Sequence, residues 1–148
     1  MARATRRAAS TMLHAAESGD CQSQVNLALI HDNSRDAGTP AGLPVDVSSA
    51  AAHDAQALHW WLRAANQGSA KAQTALALRY ESGDGVAQDL VTALTWYRLA
   101  APRLRGDEAD RVEQARLRLS RRMEPADVGL AERRAALWLP QREAIAAA

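Results

Sequence analysis

Two parts of the sequence repeat, and repetition on this scale is the strongest constraint on the fold. The stretch HWWLRAAN, which begins at residue 59, returns 36 residues later as TWYRLAAP. The stretch SQVNLALIH, which begins at residue 23, returns 49 residues later as AQTALALRY, and AAESG at residue 15 matches AANQG at residue 64. Self-similarity at this period is typical of short helix pairs that must stack to bury their apolar faces. The pattern therefore predicts an all-α chain.

The two offsets differ by 13 residues, which places an insertion of that length in the first repeat. It lies between His31 and His53, in a stretch rich in Gly, Pro, Ser and Asp. These residues are typical of loops, since proline cannot continue a helix ladder and glycine weakens one. We predict an inserted loop over residues 32–52.

The second repeat contains a Gly-x-Gly turn between two helical patterns. Ser69 is a candidate N-cap for the first helix, Gly83 and Gly85 end it, and Asp89 opens the next, which closes at Pro102. A phosphate-binding loop would need a preceding strand and a following Lys-Ser or Lys-Thr. Here a helical pattern precedes the glycines, so we interpret them as a turn between antiparallel helices.

This pattern resembles the Sel1-like repeat, a branch of the tetratricopeptide superfamily. The matching positions are Ala72-Gln73, Leu76-Ala77, Tyr80, Gly83-x-Gly85-Val86, Asp89, Thr92-Ala93, Trp96-Tyr97 and Ala100-Ala101. The stacking of such repeats predicts a short right-handed α-solenoid of about seven antiparallel helices. The resemblance also implies that the protein is an adaptor, which holds a protein or peptide partner on its concave face. In such proteins the first helix of each pair lines that face.

The repeats divide the chain into segments within one domain. The predicted segments are an N-terminal half-repeat at 4–18, a first repeat at 19–68, a second repeat at 69–106, a capping helix pair at 107–139 and a frayed tail at 140–148. Trp60, Trp96, Leu27, Leu76 and Tyr80 are predicted to be mostly buried.

Catalytic and metal-binding motifs are not evident in the sequence. The single Cys21 allows neither an intrachain disulfide nor a cysteine-based zinc site. His31 takes the place of Tyr80 and is predicted to pack, while His53 and His59 fall on different helix faces. We predict no catalytic residue, no metal and no cofactor. No run resembles a membrane helix or a secretory signal, so we expect a cytoplasmic protein that does not bind membranes.

In each helix pair, one face of the first helix is not needed for packing between the helices. We predict that this face is the binding surface. It comprises Gln22, Val25, Leu29, Asp32 and Asn33 in the first repeat, and Lys71, Thr74, Leu78, Glu81 and Ser82 in the second. Leu29 and Leu78 are apolar residues on this face, where a peptide or helix would dock. The alternative for both is burial under the neighbouring repeat.

Two other functions remain open from the sequence. One is an enzyme or small-molecule binder with a site at the inserted loop. The other is nucleic-acid binding by the arginine-rich helices after Asp107. The net charge of +1 and the acidic residues among these arginines favour a solvated, ion-paired face instead, so we expect no nucleic-acid partner.

Overall fold

A computed structural model describes residues 2–37 and 50–141, and every regular element among them is helical. The elements are α1 (Ala2–Glu17), α2 (Cys21–Ala37), α3 (Ala50–Asn66), α4 (Ala70–Ser82), α5 (Leu90–Ala100), a 3₁₀ turn (Ala101–Arg103), α6 (Gly106–Arg122) and α7 (Pro125–Leu137). The predicted all-α fold is confirmed. The chain divides into two compact units, of which the first ends at Gln67 and the second runs Gly68–Gln141.

In the first unit α2 packs against α3, and α1 packs against α2. Its core combines alanines with two tryptophans: Ala16, Val25, Leu27, Ala28, Ala57, Trp60, Trp61, Ala64 and Ala65 are all buried. Alanine lets the helix backbones approach closely, and the aromatic rings fill the remaining space. Both members of the Trp60-Trp61 pair therefore belong to the core.

The second unit begins with two capped helices. The Ser69 side chain accepts a hydrogen bond from the Ala72 backbone N–H (3.3 Å), and Asp89 does the same for Thr92 (3.1 Å). Gly83 ends α4 with a φ of +73°, in the left-handed region where other residues are strained. A helix precedes the glycines, as predicted, and the Gly-x-Gly stretch is a turn between antiparallel helices.

The helices α6 and α7 occupy the segment predicted as a capping pair. Both contact α5. Their buried residues join those of α4 and α5 in a core that comprises Ala77, Ala93, Leu94, Tyr97, Val112, Ala115, Leu119 and Ala131. Pro125 occupies the first turn of α7. A backbone N–H at this position would have no hydrogen-bond partner within the helix, so proline is tolerated there.

The predicted bounds of the inserted loop, residues 32–52, are wrong at both ends, because the flanking helices extend into this range. Helix α2 continues to Ala37, and α3 begins at Ala50; residues 38–49 lie outside the described part of the chain. The helix extends because Ser34 occupies the position equivalent to Gly83 and remains helical. Its hydroxyl donates to the Ile30 carbonyl at 2.6 Å.

Three of the five core candidates, Leu27, Trp60 and Leu76, are buried. Tyr80 and Trp96 are partly buried and pack against the core of the second unit. The fully buried aromatic residue of the second repeat is Tyr97, which is 1% exposed. Trp96 instead lies edge-on against Trp138.

Candidate functional site

An apolar groove lies between α4 and α6 of the second unit, over α5. It has a volume of about 270 Å³ and is lined by Lys71, Thr74, Leu78, Tyr97, Leu104, Glu108, Arg111, Val112 and Ala115. We call it the α4–α6 groove. Leu78 is 54% exposed, although it lies in the middle of a helix whose opposite face is buried. Exposed leucines are common singly, but this one borders a concave apolar surface.

The floor of the groove is fixed by a polar link that runs behind it. The Tyr97 hydroxyl donates to Glu81 Oε2 at 2.8 Å, and Arg118 Nη2 donates to Glu81 Oε1 at 2.7 Å. Because the carboxylate accepts from both sides, the tyrosine ring is held in one orientation. The floor of the groove is therefore held in place by contacts within the second unit.

The Tyr97 phenol does not titrate near neutral pH. Burial raises its pKa far above the ordinary value of 10, and the hydrogen bond to the negatively charged Glu81 raises it further. A phenol held in this state donates one hydrogen bond and remains neutral.

The rim of the groove carries three charges. Lys71 stands on α4, and Glu108 and Arg111 stand on the first turns of α6; all three are exposed. Within the described residues, neither Lys71 nor Arg111 forms an ion pair with a carboxylate. The rim therefore has a small excess of positive charge that a ligand can neutralise.

Three of the predicted binding residues of the second repeat line this groove. Lys71, Thr74 and Leu78 do so, whereas Glu81 belongs to the polar link behind it. Ser82 is exposed, and its hydroxyl donates to the Leu78 carbonyl at 2.8 Å.

The predicted residues of the first repeat are arranged differently. Val25 is only 4% exposed, Leu29 is half-buried, and Asp32 accepts a hydrogen bond from the Trp61 indole N–H at 2.7 Å. Gln22 and Asn33 are exposed, and Gln22 donates to Asn26 on the same helix face. A cavity of about 580 Å³ in this unit lies between α1 and α2 and includes none of the five. Val25 thus packs inside the unit instead of facing a partner.

Sequence reasoning missed the contribution of α6. The groove is completed by Leu104, which precedes this helix, and by Glu108, Arg111, Val112 and Ala115 on it. The spacing of Val112, Ala115 and Leu119 indicates an inward-facing stripe. That stripe shows that α6 packs, but it does not show which part of α4 the helix leaves uncovered.

The sequence predicted no contact partner for His53, whereas in the structure His53 contacts His31. His31 on α2 and His53 on α3 are both buried, with their Nδ1 atoms 3.2 Å apart. Within residues 2–37 and 50–141, no three His, Cys, Asp or Glu side chains come together to form a metal site.

The arginine-rich helices carry ion pairs in the described part of the chain. Arg116 makes a two-pronged contact with Glu113, Arg118 pairs with Glu81, and Arg98 lies 3.5 Å from Glu132. Accordingly, the pKa of the Glu113 carboxyl is lowered, chiefly by its hydrogen bond to Arg116. None of the described helices is both long enough and apolar enough to span a bilayer.

Comparisons with known proteins agree on the fold. The sequence profile of the family described as Sel1 repeat matches residues 54–69 and 70–101. Among solved structures, this chain is similar to a protective antigen present in uropathogenic Escherichia coli strains and displaying an SLR fold, with a TM-score of 0.68 at 22% sequence identity. The similarity covers 93% of this chain but 26% of the antigen chain. No match was found among curated proteins. The predicted resemblance to Sel1-like repeats is confirmed.

Proposed function

We propose that this chain, a protein of Sel1 repeats, is a non-enzymatic adaptor that binds a protein or peptide partner in its α4–α6 groove. The observation that carries the proposal is the exposed Leu78 beside a floor of Tyr97, Val112 and Ala115. Covering Leu78, which is 54% exposed, removes apolar area from water, at roughly 25 cal/mol per Å². The polar link between Tyr97 and Glu81 fixes the floor in advance, which lowers the entropy lost on binding.

The size of the groove favours a side chain rather than a whole metabolite. At about 270 Å³ it lies below the usual range of small-molecule pockets, roughly 300–1,000 Å³. A cavity of this size accepts one or two apolar side chains from one face of a peptide or helix. Lys71 and Arg111 favour acidic residues beside that anchor, because their charges have no carboxylate partner among the described residues.

We further propose a cytoplasmic adaptor with neither a nucleic-acid nor a membrane partner. The formal net charge of +1 supports this, since no large positive field is present to attract phosphates or anionic lipids. The ion pairs of Arg98, Arg116 and Arg118 with carboxylates support it as well.

The test is a matched pair of leucine substitutions. Peptides are selected from a displayed library on the wild-type protein, and their affinities are measured by calorimetry for Leu78→Asp and Leu117→Asp. Leu117 is also an exposed leucine of the second unit, but it does not line the groove. We expect Leu78→Asp to weaken binding at least tenfold, since it places a charge in an apolar site, and Leu117→Asp to leave it unchanged.

Charge reversal at the rim tests the partner chemistry. Lys71→Glu and Arg111→Glu are each expected to weaken acidic peptides and to reduce the salt dependence of binding. Circular dichroism should show wild-type helicity for every variant. If Leu78→Asp stays folded and binds the selected peptides as tightly as the wild type, the groove is not the binding site.

A further inference from the structure

The first unit contains a buried pair of histidines that the proposed adaptor function does not use. His31 and His53 are 5% and 3% exposed, and they lie on different helices, α2 and α3. Their ring centroids are 5.5 Å apart, whereas their Nδ1 atoms are only 3.2 Å apart. The two nitrogens therefore lie between the rings and face each other at hydrogen-bonding distance.

This geometry requires one proton between the two Nδ1 atoms. In the neutral pair, one imidazole donates its Nδ1–H and the other accepts at an unprotonated Nδ1. If both rings are protonated, two N–H groups face each other and two positive charges lie side by side. That state loses the hydrogen bond and adds a repulsion that burial does not screen.

The surroundings of the pair compensate this repulsion only in part. Burial contributes most to lowering the pKa of His31, and the charge of His53 lowers it further, while the Asp32 carboxylate of α2 raises it. Asp32 is engaged by the Trp61 indole of α3 at 2.7 Å. Asp54, which follows His53 on α3, and the described charges of α1, which packs on α2, are not among the influences on this shift.

We propose that the His31–His53 pair makes the packing of α2 on α3 sensitive to pH, so that mild acid loosens the first unit. The pair holds the helices together at the ends that border residues 38–49. The corresponding positions of the second repeat, Tyr80 and Asp89, are joined through the backbone, where the Asp89 N–H donates to the Tyr80 carbonyl at 2.9 Å. That contact contains no group that gains a proton near neutral pH.

The direction of the effect follows from proton linkage. In the unfolded chain both histidines protonate near pH 6.5, the ordinary value, but in the folded protein His31 resists protonation. The unfolded state therefore binds more protons in acid, so stability is full above about pH 6.5 and falls as the pH drops below it. Each extra proton raises the unfolding equilibrium constant about tenfold per pH unit below that value.

Asparagine substitutions provide the test, because the asparagine amide occupies nearly the position of Nδ1 but does not titrate. Unfolding by urea is followed by circular dichroism between pH 8 and pH 5.5, above the range where most carboxylates titrate. We expect the wild type and His14→Asn, which alters an exposed histidine of α1, to show the same rise in the unfolding constant. The double variant His31→Asn/His53→Asn should lack most of this rise in the unfolding constant, whatever its stability at pH 8.

Nuclear magnetic resonance of the wild-type imidazole nitrogens gives a second readout that does not depend on any variant folding. We expect His31 to titrate below the ordinary histidine value of about 6.5, and one Nδ1 of the pair to remain protonated when both rings are neutral. A His31 midpoint at or above that ordinary value overturns the proposal. An unchanged pH slope in the folded double variant does so as well.

Discussion

In the first repeat the buried Trp61 indole donates to Asp32, and in the second the buried Tyr97 hydroxyl donates to Glu81. The offsets of 36 and 49 residues make these the same two positions of the repeat. The aromatic residue and the carboxylate both differ between the repeats, but the hydrogen bond between the two positions is present in each. Both links span the two helices of a repeat, at 2.7 and 2.8 Å.

The same two repeats differ where their helices are joined. Helix α4 ends at Ser82 because Gly83 takes a positive φ, and a short turn leads to the Asp89 N-cap. Helix α2 runs four residues beyond Asn33, the position equivalent to Ser82. The comparison shows that the aromatic link inside a helix pair persists while the connection between the helices varies.

The largest expected effect tests whether the two aromatic positions are equivalent. Trp61→Ala and Tyr97→Ala should each lower the free energy of unfolding by about 3–5 kcal/mol, the usual range for removing a fully buried ring. Trp96→Ala should have a smaller effect, since Trp96 is only half-buried. Urea denaturation measures all three. Equal losses for Trp96→Ala and Tyr97→Ala would contradict the equivalence.

The hydrogen bonds of the two links should differ in strength. Asp32→Ala leaves the Trp61 N–H, at a buried ring, without its acceptor, and the expected loss is about 1–3 kcal/mol. Tyr97→Phe removes the donor instead, and Glu81 keeps its contact with Arg118, so we expect about 1 kcal/mol. Thermal or urea denaturation distinguishes the two. A larger loss for Tyr97→Phe would show that Arg118 does not stabilise Glu81 once the phenol is gone.

The connections between the helices give the last pair of variants, which includes the smallest expected effect. Gly83→Ser should destabilise by about 1–2 kcal/mol, because serine is strained at a φ of +73°. The nearest side-chain atom to a new Cβ, Gln88 Cβ, lies 3.4 Å away, so backbone strain rather than collision is the cause. The reciprocal change, Ser34→Gly, should lose about 0.5–1 kcal/mol as a glycine inside a helix. Chemical denaturation of both variants is the measurement, and a neutral Gly83→Ser would show that the turn relaxes without difficulty.

Periodicity in the sequence predicted the helix pairs and their boundaries in the second repeat. The repeat spacing located the pairs, and the caps at Ser69 and Asp89 lie where the capping residues predicted them. Trp96 was expected inside because it matches Trp60, but Trp60 and Trp96 differ in burial. Alignment shows which positions correspond, whereas burial depends on the helices that each repeat packs against.

The candidate site could be predicted from the sequence only in part. A helical face predicts Lys71, Thr74 and Leu78 together, since they recur at spacings of three and four residues. Such a pattern does not predict contacts between segments that are distant in the sequence. Two contacts of this kind are the completion of the groove by α6 and the pairing of His53 with His31. The length of α2 was also missed, since Ser34 fits a loop or a helix and only the packed structure decides between them.

The aromatic link restricts how such a repeat can change. Loss of the carboxylate takes this acceptor from the buried ring, and loss of the ring takes this donor from the carboxylate. An evolving or redesigned repeat that exchanges one member alone therefore passes through an intermediate in which a donor or an acceptor has lost its partner in the link. In a designed array of these repeats, tryptophan with aspartate and tyrosine with glutamate are two pairs that keep the link between the helices.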